Sequence, residues 1–474
     1  MPGSTRPAWF THTKVAPGAS FLRGVPECAA GILPAEGTHP QFVSRSHWAH
    51  SNCRQDAGST FSCHDETRRP VAPSSSEKAS LAPGRSYGSA VLYFDHNATT
   101  PMLPEARQVW LEATEKFIGN PSSSHRLGQR ADAALQAARE ELAACLGCDA
   151  MHIVWTSGAT ESANAVFHHL AQTLPSGSPI WLSAIEHPCV IAAATARFPG
   201  RVALMPVNHA GVVEAGWLRD RLRLEKPGAV ALMAANNETG VLQPWSEVSE
   251  LCREAAVTFF CDAVQWAGKL PARGLGSCDF VSGSAHKFGG PRGVGFLKCP
   301  PGMRIKPLLV GGGQEDGRRA GTENVAGVLS MVAALGIREK AMPGSETPGR
   351  ESWRREFEAR LVAELPGCEI VGGMSPRLWN TVSALMPEAD CQRRWVVKLD
   401  RFGFAVSTGS ACSSGHEEPS HVLAAMGCTS TQAARVLRFS SGWETPREDW
   451  ASLLAGLKQV NALVGSAVVQ PTVS

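Results

Sequence analysis

What this chain lacks narrows its roles first. No apolar run in its 474 residues approaches the ~20 needed to cross a bilayer as a helix, so no membrane partner is expected. Charge of one sign is scarce. The formal net charge is only +2, which implies no polyanionic partner and no direct nucleic-acid binding. A disulfide rhythm is missing too. The 14 cysteines are scattered over a long chain, so they read as mostly free thiols in a reducing cytosol, and a cytoplasmic location is expected. One C-x-x-C occurs, Cys145 to Cys148, with no second cysteine pair or histidine pair nearby. It reads as a helix terminus at Gly147 in preference to a metal or redox site, and no metal is expected. Methionine is absent between Met1 and Met102.

What is present suits a globular enzyme. Hydrophobic residues make up 43% and charged residues 19% of the chain, and its length suits two domains. Residues 1–90 are rich in Pro, Ser, Gly, His and Arg and hold neither a period of two nor one of 3.6. They are expected to be a disordered or non-native N-terminal extension. A transit peptide is the weaker reading: Arg6, Lys14 and Arg23 precede any acidic residue, but without an amphipathic pattern. From Val91 the texture changes. Apolar runs alternate with helical spacing, as in HIVWTSGATES, PIWLSAIEHP, AVALMAANNETG, VTFFCDAVQ and FVSGSAHK. Ala131–Cys145 predicts a helix stopped at Gly147. Short apolar runs that end in polar residues predict an α/β sheet with its functional residues at the carboxyl edge. Beyond about Glu339 the alternation weakens, which predicts a second, smaller α/β domain.

Lys287, in SAHKFGG, follows one apolar run, and Asp262 ends another 25 residues earlier. Two buried strands that bring an Asp and a Lys to one sheet edge suit pyridoxal phosphate, which needs a lysine to hold it and a carboxylate for its pyridinium nitrogen. The segment Thr156–Ser162, with Ala159 and Thr160, follows an apolar run and opens a helix. Small residues at a helix N-terminus suit a phosphate, although a plain N-cap is the alternative. Ser284, His286 and Thr322 are further phosphate candidates, Thr322 from a second subunit. His187 suits stacking on a flat ring and proton handling, with a structural or surface histidine as the alternative. Asn237 and Gln265 suit hydrogen bonds to a ring oxygen, with turn formation as the alternative. Cys412 has almost only Gly, Ser and Ala as neighbours, so a mobile loop and a nucleophilic thiol are expected. Arg438 suits a substrate carboxylate, or else a surface ion pair.

These runs carry a resemblance. YFDHNATTP, GNPSSSH, TSGATES, EHP, NNETG, CDAVQ, SAHKFGGPRGVG, GGGQEDGRRAGTENV, STGSACSSG and RFSSG occur in this order from about Leu92 to beyond Gly442. The chain resembles the cysteine desulfurases, pyridoxal-phosphate enzymes of the class V aminotransferase type. The resemblance implies a type I fold, with a large mostly parallel sheet domain over residues 105–342. It implies a smaller α/β domain from residues 91–104 and 343–474 that carries the cysteine loop. It implies conversion of L-cysteine to L-alanine, with sulfur passing to Cys412 as a persulfide and on to an acceptor protein. Iron–sulfur cluster assembly or thiolation would follow. Lys287 would hold the cofactor and shuttle a proton, Asp262 would pair with the ring nitrogen, and His187 would stack on the ring. Asn237 and Gln265 would contact ring substituents, and Ala159, Thr160, Ser284, His286 and the partner subunit's Thr322 would hold the phosphate. Asn120 and Arg438 would bind the substrate carboxylate. A homodimer is implied, because the family completes each site from two subunits.

Three features depart from the family pattern. Asp316 stands where a basic or apolar residue is common, the stretch DCQRRWVVKLDRFG before the cysteine loop is more basic than usual, and the C-terminal LVGSAVVQPTVS lacks a long scaffold-docking tail. Selenocysteine lyase is the related alternative, and a transaminase would have no use for Cys412. A non-catalytic binding or regulatory member would be expected to lose Lys287 or Cys412, and both are present.

Overall fold

A computed structural model describes residues 91–342, 347–388, 392–409 and 420–467. The expected extension at residues 1–90 and the expected nucleophile Cys412 lie outside these residues. The first strand, β1 (Leu92–Tyr93), is followed by helix α1 (Pro104–Lys116) and helix α2 (Arg126–Leu146). The expected helix over Ala131–Cys145 therefore starts five residues earlier. The reason is a cap: His125 Nδ1 accepts from the Gly128 N–H at 3.2 Å, satisfying one of the free donors of the first turn. At the other end Gly147 adopts φ 78° and stops the helix as expected.

Seven strands then build the main sheet: β2 (Ile153–Thr156), β3 (Ile180–Ser183), β4 (Val202–Met205), β5 (Ala229–Met233), β6 (Thr258–Asp262), β7 (Phe280–Ser284) and β8 (Gly295–Lys298). Their order is β2-β8-β7-β6-β5-β3-β4. Only β8 runs antiparallel to its neighbours. Apart from the edge strand β4, where Leu204 is exposed, these strands are buried on both faces, which is why they read as continuous apolar runs. The alternation still decides which layer each side chain enters. Val230, Leu232, Phe259, Cys261 and Val281 pack with α1, α2 and the helix Val325–Ala341 on one face. Ala229, Ala231, Phe260 and Phe280 pack on the other with α3 (Ala159–Thr173) and α4 (Pro188–Arg197).

Further along the chain come β9 (Glu369–Ile370), β10 (Thr381–Leu385), β11 (Phe404–Ala405) and β12 (Val436–Ser440). The last of these, with β10 and β9, forms an antiparallel sheet in the order β12-β10-β9, and β1 pairs with β11 in parallel. Phe94 is buried in this second core, against Phe357, Phe439 and Trp450. The segment after β1 thus joins a core built from residues far downstream. Among the described residues, no helix is long and apolar enough to cross a membrane.

Candidate active site

The parallel strands all point their carboxyl ends to one edge, and the site grows there. Register aligns Met233 of β5 with Asp262 of β6, and Asp262 with Ser282 of β7. Asp262 is therefore the last residue of a central strand, in the position expected of it. Lys287 closes a one-turn helix directly after β7. The two lie in one cleft of about 290 Å³, together with Ala159, Thr160, His187, Asn237, Gln265, Ser284, His286 and Arg438. Ten of the sequence-predicted residues thus converge.

The cleft has a carboxylate region and an anion-binding region. Asp262 Oδ1 accepts from the Val264 N–H at 3.0 Å and from Ser282 Oγ at 3.3 Å. Burial raises its pKa, while His187 and Lys287 act against that rise. Burial lowers the pKa of His187, and the Asp262 charge opposes it. His187 Nδ1 accepts from the Cys189 N–H at 3.2 Å as the N-cap of α4. That bond leaves Nε2 to carry the proton of the neutral ring. In the anion-binding region, α3 starts after Gly158, whose φ is 149°. A Cβ built there would lie 3.3 Å from Ser284 Oγ, so the turn leaves no comfortable room for a side chain. Ser284 Oγ accepts from the Ala159 N–H at 2.9 Å. His286, pushed down to about 4 by burial and by Lys287 and Arg292, is neutral near neutral pH and joins Thr99 Oγ1 at 3.2 Å. A helix N-terminus, two hydroxyls and an imidazole suit a phosphate group.

Arg438 is buried, so the surface-pair reading does not hold. Its Nη2 donates to Asp95 Oδ1 at 2.6 Å and its Nη1 to the Asn237 carbonyl at 3.0 Å. Two predicted residues are not in this cleft. Asn120 is exposed, with Oδ1 accepting from the Ser122 N–H, and Thr322 is exposed on its own chain. Cys412 lies outside the described residues. Gly409, three residues before it, lines the cleft, and Ser420 beyond it donates to Glu238 Oε2 at 2.6 Å.

Sequence reading passed over four residues. Asn97 and Cys189 line the cleft, with Cys189 Sγ 3.0 Å from His187 Nδ1. Burial, the first cause, pushes the Cys189 thiol up to about 12, so it stays protonated and is a poor nucleophile. Glu186 is buried, accepts from the Met233 N–H at 2.7 Å, and has its pKa raised by burial and then by Asp262. Lys269 is buried four residues after Gln265. The i,i+4 spacing was the available signal there, and for Glu186 and Cys189 it was adjacency to His187.

Fold and site together define an α/β enzyme with a half-buried lysine and a buried carboxylate at its sheet edge and a phosphate-type cradle beside them. The aminotransferase class-V family model matches residues 92–453. A cysteine desulfurase of Klebsiella pneumoniae is 38% identical over 373 residues, covering 78% of this chain and 92% of that protein. A solved NifS-like protein superposes with a TM-score of 0.72 at 31% identity, covering 79% of this chain and 100% of the other. A second solved structure, SspA in complex with cysteine, gives a TM-score of 0.63 at 27% identity, covering 73% of this chain and 98% of that one. The chain belongs to the class-V aminotransferase family, in its cysteine desulfurase branch.

Proposed function

We propose that this cleft binds pyridoxal 5′-phosphate and L-cysteine, and that the enzyme acts as a cysteine desulfurase through Cys412. The observation that carries the reading is the meeting of Asp262 and Lys287, from adjacent strands, in the same cleft as Arg438. When bound, pyridoxal phosphate supplies a carbonyl that links to an amine and a ring that withdraws electrons from the substrate Cα. Lys287 would hold it and move the Cα proton. Asp262 would pair with the ring nitrogen, and His187 would stack on the ring. Asn237 and Gln265 would bond its substituents, while Ala159, Thr160, Ser284 and His286 would hold the phosphate. Arg438 and Asn120 would bind the substrate carboxylate. The Cys412 thiolate then attacks the substrate sulfur. A new S–S bond forms at Cys412 and the C–S bond breaks. Its electron pair stays with the carbon, which gains a proton and leaves as alanine.

Further parts of the reading concern the assembly. The division into a large domain over residues 105–342 and a small one over residues 91–104 and 343–474 is supported by Phe94 packing with residues 357–460. A homodimer is supported by the apolar Ile118 and Leu127, 73% and 44% exposed on either side of Asn120, and by Thr322 lying outside its own cleft. The persulfide sulfur passes to an acceptor protein in the cytoplasm for iron–sulfur cluster assembly or thiolation.

The test is alanine formation from L-cysteine by purified protein with added cofactor and a reducing thiol, beside Cys412→Ala. Alanine from the wild type alone is expected. Equal alanine from the variant removes Cys412 from the reaction, and alanine from neither, in protein that binds the cofactor, favours a different substrate, selenocysteine first, or a required partner.

A further inference from the structure

Lys287 does not reach into the cleft unguided. Its Nζ donates to the Asn97 carbonyl at 2.7 Å and to the Ala98 carbonyl at 2.8 Å. Where those two oxygens sit decides where the amine sits. The Asn97 side chain is held on all sides. Its Oδ1 accepts from Lys269 Nζ at 2.7 Å and from Asn380 Nδ2 at 3.2 Å. Its Nδ2 donates to Thr381 Oγ1 at 2.9 Å and to the Asn237 carbonyl at 3.1 Å. Its backbone N–H donates to Ser440 Oγ at 3.0 Å, and its carbonyl also accepts from Gln265 Nε2 at 3.0 Å. A side-chain amide offers two acceptor sites and two donors, and here all four are taken. Asn97 is only 1% exposed, so each bond lies in a medium where a lost partner is costly. Its partners come from both sheets: Asn237, Gln265 and Lys269 follow strands of the main sheet, while Asn380, Thr381 and Ser440 belong to or adjoin β10 and β12.

We propose that Asn97 is a positioning residue for Lys287, its clamped side chain fixing the two consecutive peptide units whose carbonyl oxygens, of Asn97 and Ala98, aim the lysine amine at the cofactor carbonyl. The proposal rests on Lys287 being the cofactor lysine. The Asn97 side chain forms no bond to Lys287 Nζ; only the backbone carbonyl does. Its effect falls on one step, the condensation of the Lys287 amine with the cofactor aldehyde, in which a C–N bond forms and water leaves. Holding of the phosphate and ring belongs to other residues.

The test separates those two steps. Cofactor-free protein is mixed with pyridoxal phosphate, the covalent bond is trapped with borohydride over time, and the labelled lysine is located by peptide mass. Affinity for pyridoxine phosphate, which has no aldehyde, is measured in parallel. Asn97→Ala is expected to slow bond formation at Lys287 by about tenfold or more, as misplaced reacting groups do, while pyridoxine phosphate binds within about twofold of wild type. Thr381→Val, which does not line the cleft and is close in shape, is expected to act in the same direction more weakly and carries the test if Asn97→Ala does not fold. Wild-type bond formation in the folded variants overturns the proposal. So does an equal loss of both readouts, which marks general loosening. A wild-type protein whose trapped cofactor sits on another lysine overturns the reading of Lys287 instead.

Discussion

Asp262 shows how one residue's chemistry follows from its surroundings. Burial favours the neutral acid, and His187, two hydrogen bonds and Lys287 favour the carboxylate. A cationic ring nitrogen would add to the second group, so binding the cofactor is expected to favour the carboxylate further. Asp262→Asn keeps the shape and loses the charge. It is expected to retain bound cofactor, seen in its visible absorbance, while kcat for alanine release falls by about a hundredfold or more, the loss typical of removing one charge-stabilising group. Near-normal kcat would show that the ring nitrogen is held by another group. Most cleft residues of this kind were legible in the sequence because each closes an apolar run. Asn97 was not. It stands in the quoted run HNATT, but its partners Asn237, Lys269 and Thr381 are 140, 172 and 284 residues away. No local pattern signals a bond network of that range.

Elements were legible where local physics decides them. The runs IWLS, AVALM, TFFCD and FVSGS became β3, β5, β6 and β7 because a parallel sheet buries both faces of its strands. The start of α2 was missed because the cap is a histidine, which is not among the usual capping residues. Its end was read correctly from Gly147, and the reason can be tested. An added Cβ at Gly147 meets nothing closer than 3.7 Å, so the space is open and only the backbone conformation, φ 78°, resists a side chain. Gly147→Ala is therefore expected to cost about 1–2 kcal/mol, the penalty of a left-handed residue, with Gly147→Asn costing less. Urea unfolding of the three proteins gives the comparison. A cost near zero for alanine would mean that the helix end relaxes out of the left-handed region.

At the scale of the whole molecule, the segment after β1 is the seam. Phe94 enters the second core, His96 and Asn97 sit between the sheets, and Lys287 hangs from Asn97 and Ala98. His96 makes this seam sensitive to acid. Its ring lies edge-on to Tyr93 at 5.0 Å, and its Nδ1 has no hydrogen-bond partner among the described residues. Burial first, then the charges of Lys269 and Arg338, press its pKa from 6.5 down to about 3. The sign follows from proton counting. Below the ordinary histidine range the unfolded chain binds a proton that the folded chain refuses, so stability falls as pH drops from about 6.5 toward about 3, by about 1.4 kcal/mol per pH unit. His286 shifts the same way and adds to the background. Replacing His96 by phenylalanine keeps an aromatic ring and removes the titration. Between about pH 7 and about pH 5, the wild type is expected to lose about 2 kcal/mol more stability than His96→Phe, read from urea midpoints of the full chain. Parallel losses in the two proteins would place the acid sensitivity elsewhere. A larger loss in the wild type would locate it at the seam from which Lys287 hangs.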